Sequence, residues 1–249
     1  MNERDTGNDE ARRLAAARVL VVGVGALGCP AARALAAAGI GTIVLIDPDR
    51  VELSNLHRQL LHGTDTIGRA KVESAAAALH REFPGARLET HAVRLDQHNL
   101  PELFAGADFV IDATDGAAAK LLINDGAVRC GIPFSHAGIL GFLGQTLTVL
   151  PGRSTCYRCL FPEPPSEAEV VSCRDAGVIG PLAGVVGTIQ AGEAIKHLTG
   201  QGEPLVDLLL TIDARSGRWR RVRLARNPRC PVCAAPTTGR RLDAAEAAR

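Results

Sequence analysis

The 249-residue sequence has almost no net charge, because 28 Lys and Arg residues are balanced by 27 Asp and Glu residues. Without a strong basic field, a general nucleic-acid-binding protein is not expected. No apolar run approaches the roughly 18 residues that a membrane span requires. The polar N-terminus MNERDTGNDEARR lacks the apolar segment of a secretory signal. We therefore expect a cytoplasmic protein that binds neither nucleic acid nor membrane.

Lysine is rare, with three residues in the whole chain, so a lysine inside a motif stands out. The hydrophobic fraction, by contrast, is 46%, which is enough to bury a sizeable core. The chain also has seven cysteines. In a reducing compartment, cysteines serve metal binding or catalysis more often than disulfides.

Strand and helix patterns alternate through the first half of the chain. They predict a Rossmann-like α/β fold with a mostly parallel sheet and helices on both faces. The predicted strands cover residues 18–22, 42–46, 107–112, 133–137 and 143–149, and the predicted helices cover 28–38, 69–82, 116–130 and 178–199. Strand-like segments at 205–212 and 217–224 predict a C-terminal antiparallel part. We interpret residues 1–233 as a single domain, followed by a weakly ordered tail at 234–249.

The stretch GVGALG directly follows the first predicted strand. Its residues Gly23, Gly25 and Gly28 form the pattern G-x-G-x-x-G, and Asp47 ends the next strand. This order is typical of a dinucleotide site, in which phosphates sit on the helix N-terminus and the carboxylate binds a ribose hydroxyl. NAD is the default ligand for such a pattern. A strand–turn–helix that needs glycine only for packing remains an alternative.

The following segment favours ATP over NAD. The loop after the second strand contains Asp49, Asn55, Arg58 and Gln59, and Lys71 opens the next predicted helix. Two cations near a glycine loop can stabilise the charge that develops as pyrophosphate leaves. NAD needs no such second cation, and a separate substrate domain for hydride chemistry is not visible. Ordinary solvated surface charges are the competing interpretation.

The sequence DATD follows the strand predicted at 107–112. Asp112 ends this strand and Asp115 opens the next turn. A carboxylate at the carboxyl edge of a sheet can hold Mg²⁺ against phosphate oxygens. It can equally cap the following helix, and both interpretations remain open at this point.

Two CxxC pairs, Cys156–Cys159 and Cys230–Cys233, fit a tetrahedral structural zinc site. They are separated by 70 residues, so a metal ion would clip an irregular loop to the C-terminal segment. A redox CxxC motif and two unrelated pairs are the alternatives. The irregular, Pro-rich and charged stretch at 151–177 is interpreted as a long functional loop or a small insert.

The remaining cysteines differ from these pairs. Cys173 lies alone in this loop beside Arg174, whose charge favours the thiolate, so it is a candidate nucleophile or sulfur acceptor. A bystander thiol is the alternative. Cys29 and Cys130 fall on predicted core helices and are interpreted as small buried residues.

Taken together, these motifs resemble the ThiF/MoeB/HesA family, the bacterial relatives of ubiquitin-activating enzymes. The resemblance covers about residues 11–233. It rests on GVGALG, IDPD, LSNLHRQ, the lysine of GRAK, DATD, and CxxC pairs that flank SCRDAGVIGPLAGVVGTIQAGEAIKHLTG. The thiamine-pathway branch looks most similar, and the molybdopterin branch is also similar.

The resemblance implies ATP-dependent adenylation of the C-terminal glycine of a ubiquitin-like sulfur-carrier protein that ends in Gly-Gly. Pyrophosphate is released, and sulfur transfer then gives a thiocarboxylate, with a cysteine desulfurase or sulfurtransferase as the sulfur donor. A homodimer is implied as well. By matching motif, ATP lies over Gly23, Gly25 and Gly28, Asp47 holds the ribose, and Asn55, Arg58, Gln59 and Lys71 surround the phosphates. Asp49 also belongs to the implied nucleotide site, and Asp115 binds Mg²⁺. The resemblance further implies zinc on Cys156, Cys159, Cys230 and Cys233, and a covalent link between Cys173 and the carrier.

The sequence departs from the family pattern at several positions. Ala26 stands where a second glycine is usual, and Gly116 replaces an asparagine. The arginine that usually follows a few residues later has no clear match, and Lys120 is the nearest cation. The N-terminal R-Y-x-R-Q motif is not found, and Arg12 and Arg13 are weak substitutes for its arginine. A catalytically weak carrier-binding module therefore remains an alternative, and an NAD-dependent oxidoreductase is a less favoured one.

Overall fold

The computed structural model describes residues 3–163 and 177–234. Its helices are α1 (Glu3–Ala16), α2 (Gly28–Ala37), α3 (Lys71–Glu82), α4 (Leu100–Phe104), α5 (Ala117–Cys130), α6 (Tyr157–Leu160) and α7 (Gly180–Thr199). Its strands are β1 (Arg18–Val22), β2 (Thr42–Ile46), β3 (Arg87–His91), β4 (Phe109–Asp112), β5 (Phe134–Leu140), β6 (Leu143–Val149), β7 (Leu208–Asp213) and β8 (Arg218–Arg223).

The strands form one sheet in the order β3-β2-β1-β4-β5-β6-β7-β8. The pairs from β3 to β5 are parallel, and the pairs from β5 to β8 are antiparallel. This arrangement confirms the predicted Rossmann-like α/β fold with its antiparallel C-terminal part. The chain order reverses between β1 and β4, and ligands of open α/β sheets bind beyond the carboxyl ends of the strands at such a point.

Apolar side chains cover both faces of the central strands. In β1, Val19 and Val21 belong to a buried cluster that includes side chains of α2, α3 and α7, whereas Leu20 and Val22 pack with residues of α4 and α5. Because helices cover both faces, β1, β2 and β4 read as nearly continuous apolar runs. This buried frame fixes the carboxyl ends of the strands, from which the motif residues emerge.

Four elements are absent from the predicted set: the edge strand β3, the N-terminal helix α1 and the short helices α4 and α6. Most residues of β3 (Arg87–His91) are exposed at the edge of the sheet, so their polar sequence gives no strand signal. Helix α1 is polar and packs against α7, where Arg13 Nη1 donates to the Thr199 carbonyl oxygen at 3.1 Å. That bond satisfies a carbonyl group at the end of α7. Among the described residues, no helix has both the length and the apolar character that crossing a membrane would require.

Candidate active site

The glycine motif forms a tight turn between β1 and α2. Gly23 has a φ of +91°, and a Cβ on it would lie 2.7 Å from the Ala113 carbonyl oxygen. A Cβ on Gly28 would lie 1.8 Å from the Gly23 carbonyl oxygen. Both positions therefore require glycine. Ala26 is not among the residues with positive φ, which explains why a methyl group is tolerated there.

Asp47 holds this turn against the end of β2. It is 5% exposed, and its two oxygens accept hydrogen bonds from the backbone N–H groups of Val24 at 2.7 Å and Asp49 at 2.8 Å. Burial raises the pKa of Asp47, and the charge of Lys71 and the two N–H groups oppose that rise only in part. The observed contacts of Asp47 thus go to the protein backbone, and the ribose role predicted for it stays a prediction.

A short loop with a 3₁₀ turn at Leu53–Asn55 places Gln59 beside Gly25. Gln59 is 5% exposed, and its Nε2 would lie 3.5 Å from a Cβ on Gly25. Its Oε1 is buried and finds no hydrogen-bond partner among the described residues. Arg58, the preceding residue, donates from Nη2 to Asn55 Oδ1 at 2.5 Å. A buried amide oxygen without a partner is costly, so this position is suited to a ligand that donates a hydrogen bond.

Lys71 is the first residue of α3 and lies close to the same turn. Its side chain is 7% exposed, and Nζ contacts Asp49 Oδ2 at 2.9 Å. The Asp49 side chain is 57% exposed, so its carboxylate has room for a further partner. The charge of Lys71 also acts on the pKa of the buried Asp47. The cation and the exposed carboxylate therefore both stand next to the glycine turn.

Asp115 follows β4 in the turn that leads to α5. It is exposed, and no hydrogen bond or ion pair engages its carboxylate within the described parts of the chain. The turn itself lies against the glycine motif, because a Cβ on Gly23 would also lie 3.1 Å from Thr114 N. The structure thus brings Asp115, Lys71 and Gln59 around the glycine turn, and the nucleotide and metal roles predicted for them stay predictions.

The sequence does not predict a cluster of buried charged groups behind this edge. Asp112 Oδ2 lies 2.8 Å from His136 Nδ1 and 3.4 Å from Lys120 Nζ, and all three side chains are less than 10% exposed. Burial alone would raise the pKa of Asp112, but Lys120 and His136 outweigh it and lower the pKa to about 2. The residues come from β4, α5 and β5, so only the tertiary fold brings them together.

The two CxxC pairs meet in space. Their four Sγ atoms lie within 4.8 Å of one another, with individual separations of 3.4 Å between Cys159 and Cys233 and 3.6 Å between Cys156 and Cys230. Thiolates bound to zinc in a tetrahedron at 2.3 Å would be separated by about 3.8 Å. Burial and the neighbouring thiols raise the pKa of Cys156, and a divalent metal ion would reverse that effect. The cluster therefore fits a metal ion.

An ion pair and a hydrogen bond attach this cluster to helix α5. Arg158, between Cys156 and Cys159, donates from Nε and Nη2 to the Asp125 carboxylate on α5, with Nη2 at 2.8 Å from Oδ2. The neighbouring Tyr157 N–H donates to Asn124 Oδ1 at 2.8 Å. The predicted clip between the irregular loop and the C-terminal segment thus also fixes the loop on α5.

The other cysteines lie apart from the cluster. Cys29 is fully buried at the start of α2, and burial raises its pKa to about 12, so it behaves as a small core residue. Cys130 is partly buried at the end of α5. Cys173 and Arg174, with residues 164–176 as a whole, lie outside the described residues, as do residues 235–249 of the predicted tail.

A groove of about 590 Å³ lies on one face of the antiparallel strands. The pairing register places Gly138, Gln145, Thr211 and Arg220 in one row across β5, β6, β7 and β8. Leu140, Leu143 and Arg218 line it as well. Arg218, Arg220, Arg221 and Arg223 are exposed on β8, and no ion pair within the described segments engages them. The sequence gives no signal for this groove, because its walls come from four strands.

Comparison with known proteins finds relatives that match nearly the whole chain. A sequence model of the ThiF family matches residues 1–232. The sulfur carrier protein adenylyltransferase of Thermus thermophilus is 43% identical over 241 residues, which cover 95% of this chain and 89% of the relative. The SAMP-activating enzyme E1 of Haloferax volcanii is 44% identical over 229 residues, which cover 92% of this chain and 84% of the relative.

A similar fold is found in a solved structure. The crystal structure of E. coli MccB with ATP matches with a TM-score of 0.80 and 24% identity, covering 92% of this chain and 70% of the other. At that identity the likeness concerns the fold alone.

Proposed function

The chain belongs to the ThiF family, and on that premise we propose that it uses ATP to adenylate the C-terminal glycine of a ubiquitin-like sulfur-carrier protein. Relatives named sulfur carrier protein adenylyltransferase and SAMP-activating enzyme E1 support this function. We assign the activity to one adenylation domain at residues 1–233. Pyrophosphate exchange with purified carriers of each kind tests whether the carrier belongs to the thiamine or the molybdopterin pathway.

The observation that carries the proposal is the set of groups around the glycine turn. Gln59 offers a buried oxygen without a partner in the described chain, Lys71 supplies a positive charge, and Asp115 supplies an exposed carboxylate. A ribose or adenine group can donate to Gln59 or to the oxygens of Asp49. Lys71 and Arg58 are suited to the triphosphate, and Asp115 to Mg²⁺. Asn55, bonded to Arg58, orients that guanidinium.

The chemistry follows from this arrangement. A carrier carboxylate oxygen attacks the α-phosphorus, the bond between the α- and β-phosphates breaks, and pyrophosphate leaves with the bonding electrons. Lys71 and Arg58 stabilise the charge that develops on the leaving group. Bound Mg²⁺ would neutralise further phosphate charge. The protein mainly positions the two reactants, since the acyl-adenylate forms without a covalent enzyme intermediate.

The groove on the antiparallel strands gives the carrier a place to bind. An extended Gly-Gly tail has no side chains and fits over a row that begins at Gly138 and ends at Arg220. From Gly138, β5 leads to His136, which contacts Asp112 at the end of β4. The unpaired arginines of β8 favour a carrier surface with carboxylates near the tail.

The roles proposed for the zinc site, Cys173 and the dimer rest on the resemblance to the family. Zinc bound by Cys156, Cys159, Cys230 and Cys233 would stabilise the fold, because four thiolates leave no open coordination position. Cys173 would attack the acyl carbon of the adenylate and form a thioester as AMP leaves, and a desulfurase or sulfurtransferase would supply the sulfur for the later transfer step. We further propose a cytoplasmic homodimer.

Carrier-dependent exchange of pyrophosphate into ATP tests the function. The protein is incubated with ATP, Mg²⁺ and purified carriers from thiamine and molybdopterin pathways, each compared with the same carrier lacking its last glycine. Exchange with one intact carrier and none with its shortened form is expected. Absence of exchange with every carrier would count against adenylation.

A second candidate is a carrier-binding module with weak adenylation. Arg13, one substitute for the family's N-terminal arginine, already binds the Thr199 carbonyl group and is occupied within its own subunit. This candidate predicts that the carrier binds the Asp115→Ala variant normally and that the parent protein exchanges almost no pyrophosphate. Calorimetric titration of the carrier separates it from the first candidate.

A further inference from the structure

Three ionisable side chains meet in the interior behind the glycine turn without a role in the chemistry above. Asp112 ends β4 and is 0% exposed, His136 lies in β5 and is 1% exposed, and Lys120 lies in α5 and is 7% exposed. Burying such groups is costly unless each is well paired. We therefore expect this cluster to have a role beyond packing, one that an apolar core could not perform.

The carboxylate of Asp112 closes the turn that leads to Asp115. Its Oδ1 accepts a hydrogen bond from the backbone N–H of Thr114 at 3.1 Å and from the Thr114 hydroxyl at 2.7 Å. The Asp112 carbonyl oxygen accepts from Gln190 Nε2 at 2.9 Å. Asp115 is the next residue after this closed turn, so the orientation of the Asp112 carboxylate determines where the turn presents Asp115.

His136 fixes the second oxygen of this carboxylate. Its Nδ1 lies 2.8 Å from Asp112 Oδ2, whereas Lys120 Nζ lies at 3.4 Å and makes a shorter bond of 2.6 Å to the Ala137 carbonyl oxygen. Lys120 thus contributes charge, while the short directional bond comes from His136.

The imidazole is held in a state suited to this bond. Burial and the charge of Lys120 lower the pKa of His136. Because the ionised Asp112 carboxylate can only accept, Nδ1 carries the hydrogen of their bond. The ring packs on Tyr157, with centroids 4.1 Å apart. Nε2 is buried and finds no hydrogen-bond partner in the described chain. The ring therefore tolerates one unsatisfied nitrogen while the other binds Asp112.

We infer that His136 is a positioning residue for metal-dependent ATP binding: its Nδ1–H fixes the Asp112 carboxylate, which closes the turn that presents Asp115. This inference rests on the proposed function, since it takes Asp115 as the carboxylate that meets the metal ion. It concerns residues that do not touch the nucleotide. Loss of such outer partners typically weakens metal affinity by about 10- to 100-fold.

The test compares His136→Asn with His136→Gln. The amide nitrogen of Asn can occupy the place of Nδ1 and donate to Asp112, whereas that of Gln corresponds to Nε2 and cannot reach the same position. Both variants leave a buried polar atom unsatisfied, so both are expected to lose thermal stability to a similar degree. Thr114→Val is a third variant that removes one bond to Asp112 without changing the buried cluster.

The measured quantity is the ratio of two dissociation constants, for ATP without added divalent metal and for the preformed Mn²⁺·ATP complex, by calorimetric titration. We expect this ratio to fall about tenfold in His136→Gln and Thr114→Val and to stay within about twofold of the parent in His136→Asn. General damage to the nucleotide site would raise both dissociation constants and leave their ratio unchanged.

Each outcome decides between the alternatives. Equal ratios in all variants, or an equal fall in the Asn and Gln variants, would overturn the positioning role and leave His136 as a packing residue. If the parent binds Mn²⁺·ATP but shows no exchange with any carrier, the proposed adenylation is wrong. The ratio of the two dissociation constants still tests the role of His136 in that case. A parent that does not bind Mn²⁺·ATP would overturn both proposals.

Discussion

Two glycines of the same motif are expected to respond in opposite ways to substitution by alanine. A Cβ on Gly28 would lie 1.8 Å from the Gly23 carbonyl oxygen, whereas contacts below 3.0 Å are essentially never made by a real Cβ atom. Helix α2 would have to move away from the turn by about 1 Å, and such overpacking costs about 3 kcal/mol. Gly28→Ala should therefore lose much of the stability of the fold.

Gly25 has a different environment. Among the described residues, the one atom within 4 Å of a Cβ added to Gly25 is Gln59 Nε2 at 3.5 Å, an ordinary contact, and Gly25 is not among the glycines with positive φ. Gly25→Ala should change the free energy of unfolding by less than about 0.5 kcal/mol. The methyl group would, however, stand where we propose that ATP approaches the backbone, and we expect ATP affinity to fall at least about tenfold, or 1.4 kcal/mol.

Urea unfolding followed by circular dichroism gives the stability of the two variants, and calorimetric titration with ATP gives their affinity. Gly25→Ala should unfold like the parent and bind ATP poorly. If it binds ATP like the parent, the nucleotide does not lie over Gly25, and the proposed site is wrong. If Gly28→Ala proves as stable as the parent, the steric argument for the turn fails.

Three further predictions concern the metal-binding groups and pH. Asp115→Asn should lower pyrophosphate exchange about 100-fold, because the carboxylate proposed to bind Mg²⁺ is lost; a melting temperature below the parent's would instead indicate a structural role. Cys230→Ser should lose bound zinc and melt about 10 °C lower, whereas Cys130→Ser, outside the cluster, should keep its zinc, as measured by elemental analysis. Burial lowers the pKa of His62, so the unfolded chain binds the proton more readily. Stability should therefore fall as the pH drops below about 6.5, by up to about 1.4 kcal/mol per pH unit. His62→Gln should flatten this slope in urea unfolding at pH 7.5 and 5.5, and an unchanged slope would contradict the assignment.

The sequence predicts the parallel half of the fold because its strands are covered by helices on both faces. The bounds of β1 (Arg18–Val22) and β2 (Thr42–Ile46) agree with the predicted ones, since uninterrupted apolar runs mark them. The edge strand β3 carries exposed Arg, Glu and Thr residues, so its pairing with β2 is not visible in the sequence pattern. A strand of this kind forms because the backbone groups of the neighbouring strand bond to it, and not because of its own side-chain pattern.

The candidate site divides in the same way. Lys71, Gln59 and Asp115 lie in local motifs, and their position at one edge follows from the order of parallel strands. The contact of His136 with Asp112 cannot be predicted locally, because the two residues are 24 positions apart and meet only through the pairing of β4 with β5. Asp47 shows a further limit, since its position suits a ribose but its oxygens both accept backbone N–H groups.

The four-cysteine cluster joins two parts of the chain that are synthesised at different times. Strands β1 to β6 precede Cys156, whereas α7, β7 and β8 separate Cys159 from Cys230. The first cysteine pair can therefore be in place before α7 covers its face of the sheet and before β7 and β8 pair. An ion captured early by two thiolates would stay open to exchange with other thiols. Metal retention by all four sulfur atoms would thus report that the chain after α7 has docked, and a pulse of labelled zinc during refolding would time that last step.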